Sequence, residues 1–234
     1  MIIVCAPDMT REIAMRFGVE PCVLATPGRQ VALGRAVKTL VDIGLSGARR
    51  GVDVAMYIVY VRSVRPTWAV VPDRFGDFRA TLAQWLRYSH MVARFAAPIF
   101  VAQEFHRAEA LDAVLDMTRQ RAVEHVALPM RQHPDVSCSK EPRLCAERAE
   151  RILRILCGAV LHIHLLGPSL RAVRMLRSAL VQCERQGTVV SFDTAAYRRA
   201  SDSQVKKQLG GRWMPRNSVE ASMMLVAWLR QALL

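Results

Sequence analysis

The chain has 234 residues, 52% of them hydrophobic but only 6% aromatic, and a net charge of +13. That length fits one large domain or two small ones, with a core built mainly from Leu, Val, Ala and Ile. No apolar run reaches the roughly 18 uncharged residues a membrane span needs, and the stretch from Met1 to Asp8 lacks the basic leader of a signal peptide, so a soluble, cytoplasmic protein without a membrane partner is expected.

Taken in order, residues 2–5 are a short β-type run ending in Pro7-Asp8, and residues 10–17 have helical composition with Gly18 as the stop. Residues 22–25 are a second apolar run, closed by the turn chemistry of Thr26-Pro27-Gly28. A helix over 30–37 leads into a strand over 39–41 that ends at Asp42. Gly44, Gly47 and Gly51 then mark an arginine-bearing loop before a helix over 54–62. The strand 68–71 runs into Pro72-Asp73. After the loop 74–77, Leu82, Trp85, Leu86, Met91, Val92 and Phe95 recur at steps of three and four, the period of a helix.

Residues 98–102 are the next strand and close at Gln103. A helix over 108–117 follows, then a strand over 125–128 that meets Pro129. Residues 131–142 read as a polar excursion, and 144–156 as an amphipathic helix carrying Arg148, Arg151 and Arg154. The strand 160–166 alternates and closes at Gly167-Pro168. Ser169 is a fitting N-cap for a helix through Cys183, on which Arg171, Arg174 and Arg177 lie three apart. Gly187 resets the chain for a last strand, 188–192, which ends in Asp193.

Eight strands, most separated by one helix of about a dozen residues, predict a single-domain α/β protein of the (β/α)8 TIM-barrel type. The barrel is assigned to residues 1–200, a polar lid-like loop to 201–217, and a C-terminal helix to 218–234. Met223, Leu225, Val226 and Trp228 are expected to dock that helix on the barrel. An open doubly wound sheet is the alternative, but no Gly-x-Gly-x-x-Gly follows the first strand.

Of the 33 basic residues only Lys38, Lys140, Lys206 and Lys207 are lysines. Arginine pairs bidentately with phosphate and stacks on bases, so a nucleic acid is an expected partner. Arg49, Arg50, Arg198, Arg199, Lys206 and Lys207 are its candidate surface; a bias toward arginine codons would give the same excess. The six cysteines contain no Cys-x-x-Cys pair. Cys138 and Cys145, with His133 nearby, are spaced too loosely for zinc, so no metal is expected. The thiols are expected to be reduced or buried, a Cys138–Cys145 disulfide being conceivable only for a hyperthermophile.

If the barrel closes, its strand exits converge on one mouth. They read Asp8, Thr26, Asp42, Asp73, Gln103, Pro129, Gly167 and Asp193. A single aspartate after a strand is best explained as a helix N-cap. Three of them with an amide make a candidate site. Paired carboxylates perform glycosidic chemistry, and a carboxylate beside an amide can read a purine edge: the acid accepts from N1–H and the 2-amino group, and the amide donates to O6.

The order Asp42-Ile-Gly-Leu-Ser, Pro66-Thr-Trp-Ala-Val-Val-Pro-Asp73, Pro98-Ile-Phe-Val-Ala-Gln103, His164-Leu-Leu-Gly167 and Ser191-Phe-Asp193-Thr-Ala-Ala-Tyr197 resembles the tRNA-guanine transglycosylase superfamily. The similarity is strongest to its shorter archaeal and DNA 7-deazaguanine-inserting types, and runs from about residue 38 to 200. It implies Asp193 as the nucleophile at ribose C1′ and Asp42 as the aspartate that assists proton transfer. It places Asp73 and Gln103 on the purine edge, with Gly167 and His164 in the substrate pocket and His164 packing beneath the base. A satisfied core histidine is the alternative for His164.

Three departures stand beside the resemblance. Ile43-Gly44-Leu45-Ser46 replaces the family's Ser-Gly-Gly-Phe or Ser-Gly-Ala-Phe. Leu128-Pro129 stands where the family uses glycine amides, and proline has no N–H to give. No cysteine follows Cys183, so the family's zinc site is missing and no cofactor is expected. The implied function is replacement of guanine in tRNA or DNA by a 7-deazaguanine-type base through a covalent aspartyl–ribose intermediate. The alternatives are a diverged, non-catalytic barrel that binds nucleic acid or a purine-like ligand, and a glycosidase that releases the base without replacing it. A homodimer is left open.

Overall fold

The computed structural model describes residues 2–6, 9–27, 38–43, 53–130, 142–168, 170–193, 223–227 and 229–230; side chains of 142–146, 170 and 171 are not included. Eight strands are present: β1 (Ile3–Ala6), β2 (Glu20–Ala25), β3 (Lys38–Val41), β4 (Trp68–Val70), β5 (Ala97–Val101), β6 (His125–Pro129), β7 (His162–Leu166) and β8 (Val189–Asp193). Each pairs in parallel with its predecessor. β8 returns to β1 through Ile3↔Ser191, Val4↔Phe192 and Cys5↔Asp193, which closes the sheet. The protein is a (β/α)8 barrel, as the spacing of strand signals predicts, and the open sheet is excluded.

The helices between strands are α1 (Arg11–Phe17), α2 (Val54–Val64), α3 (Phe78–Val92), α4 (Ala108–Arg119), α5 (Pro142–Leu156) and α6 (Leu170–Arg185). Their starts are set by side chains that satisfy otherwise orphaned amides. Thr10 accepts from the Ile13 N–H, Asp53 from Met56 and Asp77 from Ala80. Gly18 ends α1 at φ 62°, a left-handed conformation that glycine adopts without a Cβ clash, and its N–H returns to the last turn. The predicted helix over 30–37, the Ser169 cap and the loop 201–217 lie outside the described residues.

Two apolar layers result from the two-residue period of the strands. Val4, Val41, Ala69, Phe100, Leu128, Leu165 and Phe192 face outward and pack with the helices. Ile3, Cys5, Cys22, Leu24, Leu40, Trp68, Val70, Ile99, Val101 and Ala127 fill the barrel. Beside this apolar filling the inward positions of β7 and β8 are polar: His162, His164, Ser191 and Asp193, all buried. Near the N-terminal end of β3, Lys38 pairs with Glu20 at 2.8 Å and lies 5.4 Å over the Trp68 ring.

Two expectations are corrected. Cys157 and Cys183 are joined as a disulfide across α5 and α6, with Cα atoms 4.9 Å apart, so the cysteines are not all reduced thiols. Helix packing brings together two residues 26 positions apart in sequence, a contact no local spacing reports. Cys138 and the Cys145 side chain lie outside the described residues. At the C-terminus, residues 223–227 and 229–230 are helical and dock on the body, but through Met224, Leu225 and Leu229; Met223 points to solvent and Trp228 is not described. Of the expected docking residues Leu225 is buried and Val226 half-buried, while Met223 is replaced by its neighbour Met224. None of the described helices is long and apolar enough to cross a membrane.

Candidate functional site

The mouth at the C-terminal ends of the strands carries two clusters. The first belongs to β7 and β8. Val190 and Phe192 point outward on β8, which turns Ser191 and Asp193 into the barrel. Gly167, at φ 57°, folds back after β7 so that its N–H donates to Asp193 Oδ1 at 2.6 Å. His164 Nε2 lies 3.4 Å from the same oxygen, near enough for electrostatic pairing but without hydrogen-bond geometry. Oδ2 takes no hydrogen bond among the described residues, and the side chain keeps 12% of its surface open to solvent. One oxygen is anchored by a hydrogen bond.

The second cluster belongs to β4 and β5. Gln103, 2% exposed, donates from Nε2 to Asp73 Oδ2 at 2.6 Å and accepts from the Gly76 N–H at 3.1 Å. Glu104 stands beside it in the left-handed region, at φ 52°. It accepts from the Phe78 N–H and pairs with Arg107 at 3.0 Å. Gln103 and Glu104 thus hold the loop that carries Asp73. That aspartate is not the cap of α3, a role filled four residues later by Asp77. Burial pushes the Asp73 carboxyl above its ordinary range, and the Gln103 hydrogen bond only partly offsets this.

In a closed barrel of eight strands β4 lies opposite β8, so the two clusters face each other across the mouth. Asp42 follows β3, is half-buried, and donates its backbone N–H to Ala25. Beneath β4 the buried Tyr57 donates its hydroxyl to the Val70 carbonyl. Burial raises that phenol's pKa, and the nearby charges of Asp42 and Asp73 raise it further, which puts both acids on one side of the mouth.

Of the residues singled out from sequence, Asp42, Asp73, Gln103, Gly167 and Asp193 lie at the mouth. His164 is 0% exposed and sits one layer below, inside the barrel. Arg49, Arg50, Arg198, Arg199, Lys206 and Lys207 lie outside the described residues. Arg151, Arg154, Arg174 and Arg177 are exposed on α5 and α6, and Arg154 is engaged by Glu150 at 2.7 Å.

Sequence reading passed over Ser191, His162 and Glu104. Ser191 and His162 could have been found from the polar alternation His162-Ile-His164 and the serine two residues before Asp193, since polar residues at inward positions of a barrel must be paired. Cys5 was also missed. It meets Cys22 across β1 and β2 and adjoins Asp193 on β8, and burial pushes its thiol up.

His162 makes a pH dependence that can be measured. Burial first, then the nearby His164, His125 and Lys38, hold its pKa well below the ordinary 6.5. The folded protein therefore keeps it neutral while the unfolded chain takes a proton. Stability is complete above that ordinary value and falls as pH drops through it, by up to about 1.4 kcal/mol per pH unit for one histidine. Urea midpoints taken from pH 7.5 downward should fall more steeply for the wild type than for His162→Gln. Parallel curves would show that His162 is not the group responsible.

Among the described residues no group of three or more His, Cys, Asp and Glu is arranged to hold a metal ion. No protein-family model matches the chain, and no curated protein matches it.

Proposed function

We propose that the protein exchanges a base on a nucleic acid, removing guanine and inserting a 7-deazaguanine-type base, in line with the sequence resemblance to the tRNA-guanine transglycosylase superfamily. The observation that carries this reading is the Asp193 carboxylate, with Oδ1 held by the Gly167 N–H and its side chain partly open to solvent, and the Asp73–Gln103 pair on the facing wall. In this scheme Oδ2 attacks ribose C1′, a C1′–O bond forms and the C1′–N9 bond breaks. The bond's electron pair leaves on guanine N9, which takes up a proton with the assistance of Asp42. The incoming base then loses its N9 proton, attacks C1′ and releases the carboxylate. In the scheme Asp73 accepts from the two donors of the guanine edge, and the second N–H of Gln103 Nε2 serves as the donor to O6. No cofactor enters the scheme.

The test is incorporation of radiolabelled guanine into tRNA or duplex DNA by the purified protein. Exchange into one of them is expected. Protein that binds guanine yet exchanges it into neither would overturn the reading. Nucleic-acid affinity should also fall steeply between about 50 and 200 mM salt, because neutralised phosphates release counterions; a flat response would assign the exposed arginines to ordinary solvation.

A second reading is favoured by the engagement of Gln103 with both Asp73 and Gly76, together with Pro129 at the end of β6. It is a purine-binding barrel without turnover. It predicts guanine binding and no exchange.

A further inference from the structure

Behind Asp193 the barrel interior holds a line of polar groups that the base-exchange scheme leaves unused. Ser191 Oγ lies 2.6 Å from His162 Nε2 and 2.6 Å from His164 Nδ1. The other nitrogen of His164, Nε2, faces Asp193 Oδ1 at 3.4 Å. The other nitrogen of His162, Nδ1, is buried with no partner. Further down, the His125 ring is 5.7 Å from His162, and Trp68 covers His162 at 4.6 Å between centroids. Besides one another, the charged or titratable groups near these rings are Lys38 at His162, Glu124 at His125 and Asp193 at His164.

A hydroxyl has one proton and two lone pairs, so this line can be polarised in only a few ways. If Ser191 gave its proton to His162, His164 would donate from Nδ1 and present a bare Nε2 lone pair to the Asp193 carboxylate. His162 would also carry a buried Nδ1–H with nothing to receive it. Both consequences are unfavourable, since like-signed atoms would face each other and a buried donor would be left unmade. If both rings, each neutral, donated to Ser191, the bare Nε2 would still face Asp193. The remaining arrangement has neither fault at Asp193: His162 Nε2–H donates to Ser191, Ser191 O–H donates to His164 Nδ1, and His164 Nε2–H points at Asp193 Oδ1. It leaves an unfilled acceptor at His162 Nδ1, and a His164 Nε2–H that faces the Asp193 carboxylate with favourable sign but without hydrogen-bond geometry.

We propose that Ser191 fixes the tautomer of His164 and that the chain His162–Ser191–His164 positions the Asp193 carboxylate electrostatically, setting the His164 Nε2–H dipole 3.4 Å from Oδ1 while Gly167 holds that oxygen by a hydrogen bond. His164 and Ser191 are positioning residues, because neither reaches the mouth. The low proton affinity of His162 agrees with a ring that stays neutral and donates from Nε2. The consequence for attack by Oδ2 rests on the base-exchange reading, whereas the tautomers do not.

Selective 15N labelling of histidine and long-range 1H–15N correlation spectra report which ring nitrogen carries the proton. In the wild type the neutral rings of His162 and His164 should both be Nε2–H tautomers. Asp193→Asn should weaken that preference at His164, and Ser191→Ala should convert His164 to a mixture of tautomers. In the exchange assay Ser191→Ala should lower kcat roughly tenfold with KM unchanged, the signature of misplaced rather than lost groups, and Ser191→Thr should restore part of it. An Nδ1–H tautomer for wild-type His164 would overturn the proposal, and that spectrum requires no variant to fold. Wild-type protein with the expected tautomers but no exchange would instead sink the base-exchange reading and leave the chain standing.

Discussion

Asp193→Asn should reduce base exchange by roughly 10,000-fold or more while leaving guanine affinity and folding close to wild type. The amide is isosteric, so the Gly167 N–H retains an oxygen to donate to. What disappears is the second carboxylate oxygen, which in the proposed scheme forms the bond to C1′. The wild type should also yield a nucleic acid–protein adduct on a denaturing gel when the incoming base is withheld, and the variant should yield none. A variant that still exchanged guanine would remove Asp193 from the nucleophile's role.

Asp73→Asn should separate function from stability. Burial holds the Asp73 carboxyl above its ordinary range, so the folded state binds its proton more readily than the unfolded chain does. The stability associated with the protonated acid is complete below about pH 4 and is lost as pH rises through the raised folded value. Asparagine presents the same oxygen to Gln103 Nε2 without a charge to desolvate. At neutral pH the variant should therefore melt at or above the wild-type temperature, and the difference should vanish toward pH 4. The same change sets an N–H donor against the donors of the guanine edge. kcat/KM for guanine should fall about 100-fold or more, with less discrimination against hypoxanthine, which lacks the 2-amino group. A destabilised variant at neutral pH would mean that the carboxylate has a stronger partner than Gln103. An unchanged kcat/KM would take Asp73 off the base edge.

These two residues also measure how far the site could be read from sequence. Asp73 and Asp193 were legible because each closes an apolar strand, where a carboxylate does nothing for the strand itself. Gln103 was legible for the same reason. The engagement of Gln103 by the loop at Gly76 was not, because it joins residues 27 apart through a backbone amide that carries no residue signature. Glu104 was missed since an exit signal points to the first polar residue after a strand, not to the second. His164 was placed under the base by resemblance; the structure sets it inside the barrel against Ser191 and Asp193.

The sequence by itself determined the number and order of the elements. Eight apolar runs separated by helical periods leave few arrangements other than a barrel, because unpaired parallel strands cannot bury their backbone groups. Short-range chemistry such as the Thr10 and Gly18 caps of α1 was equally explicit. Only the tertiary structure decided which face of each strand turned inward and what met there. Both faces of a parallel barrel strand are buried, so hydrophobicity alone assigns neither to the interior. Closure of β8 onto β1, and its pairing with β7, fixed Ser191 between two histidines and turned Asp193 so that one of its oxygens is held by the Gly167 N–H.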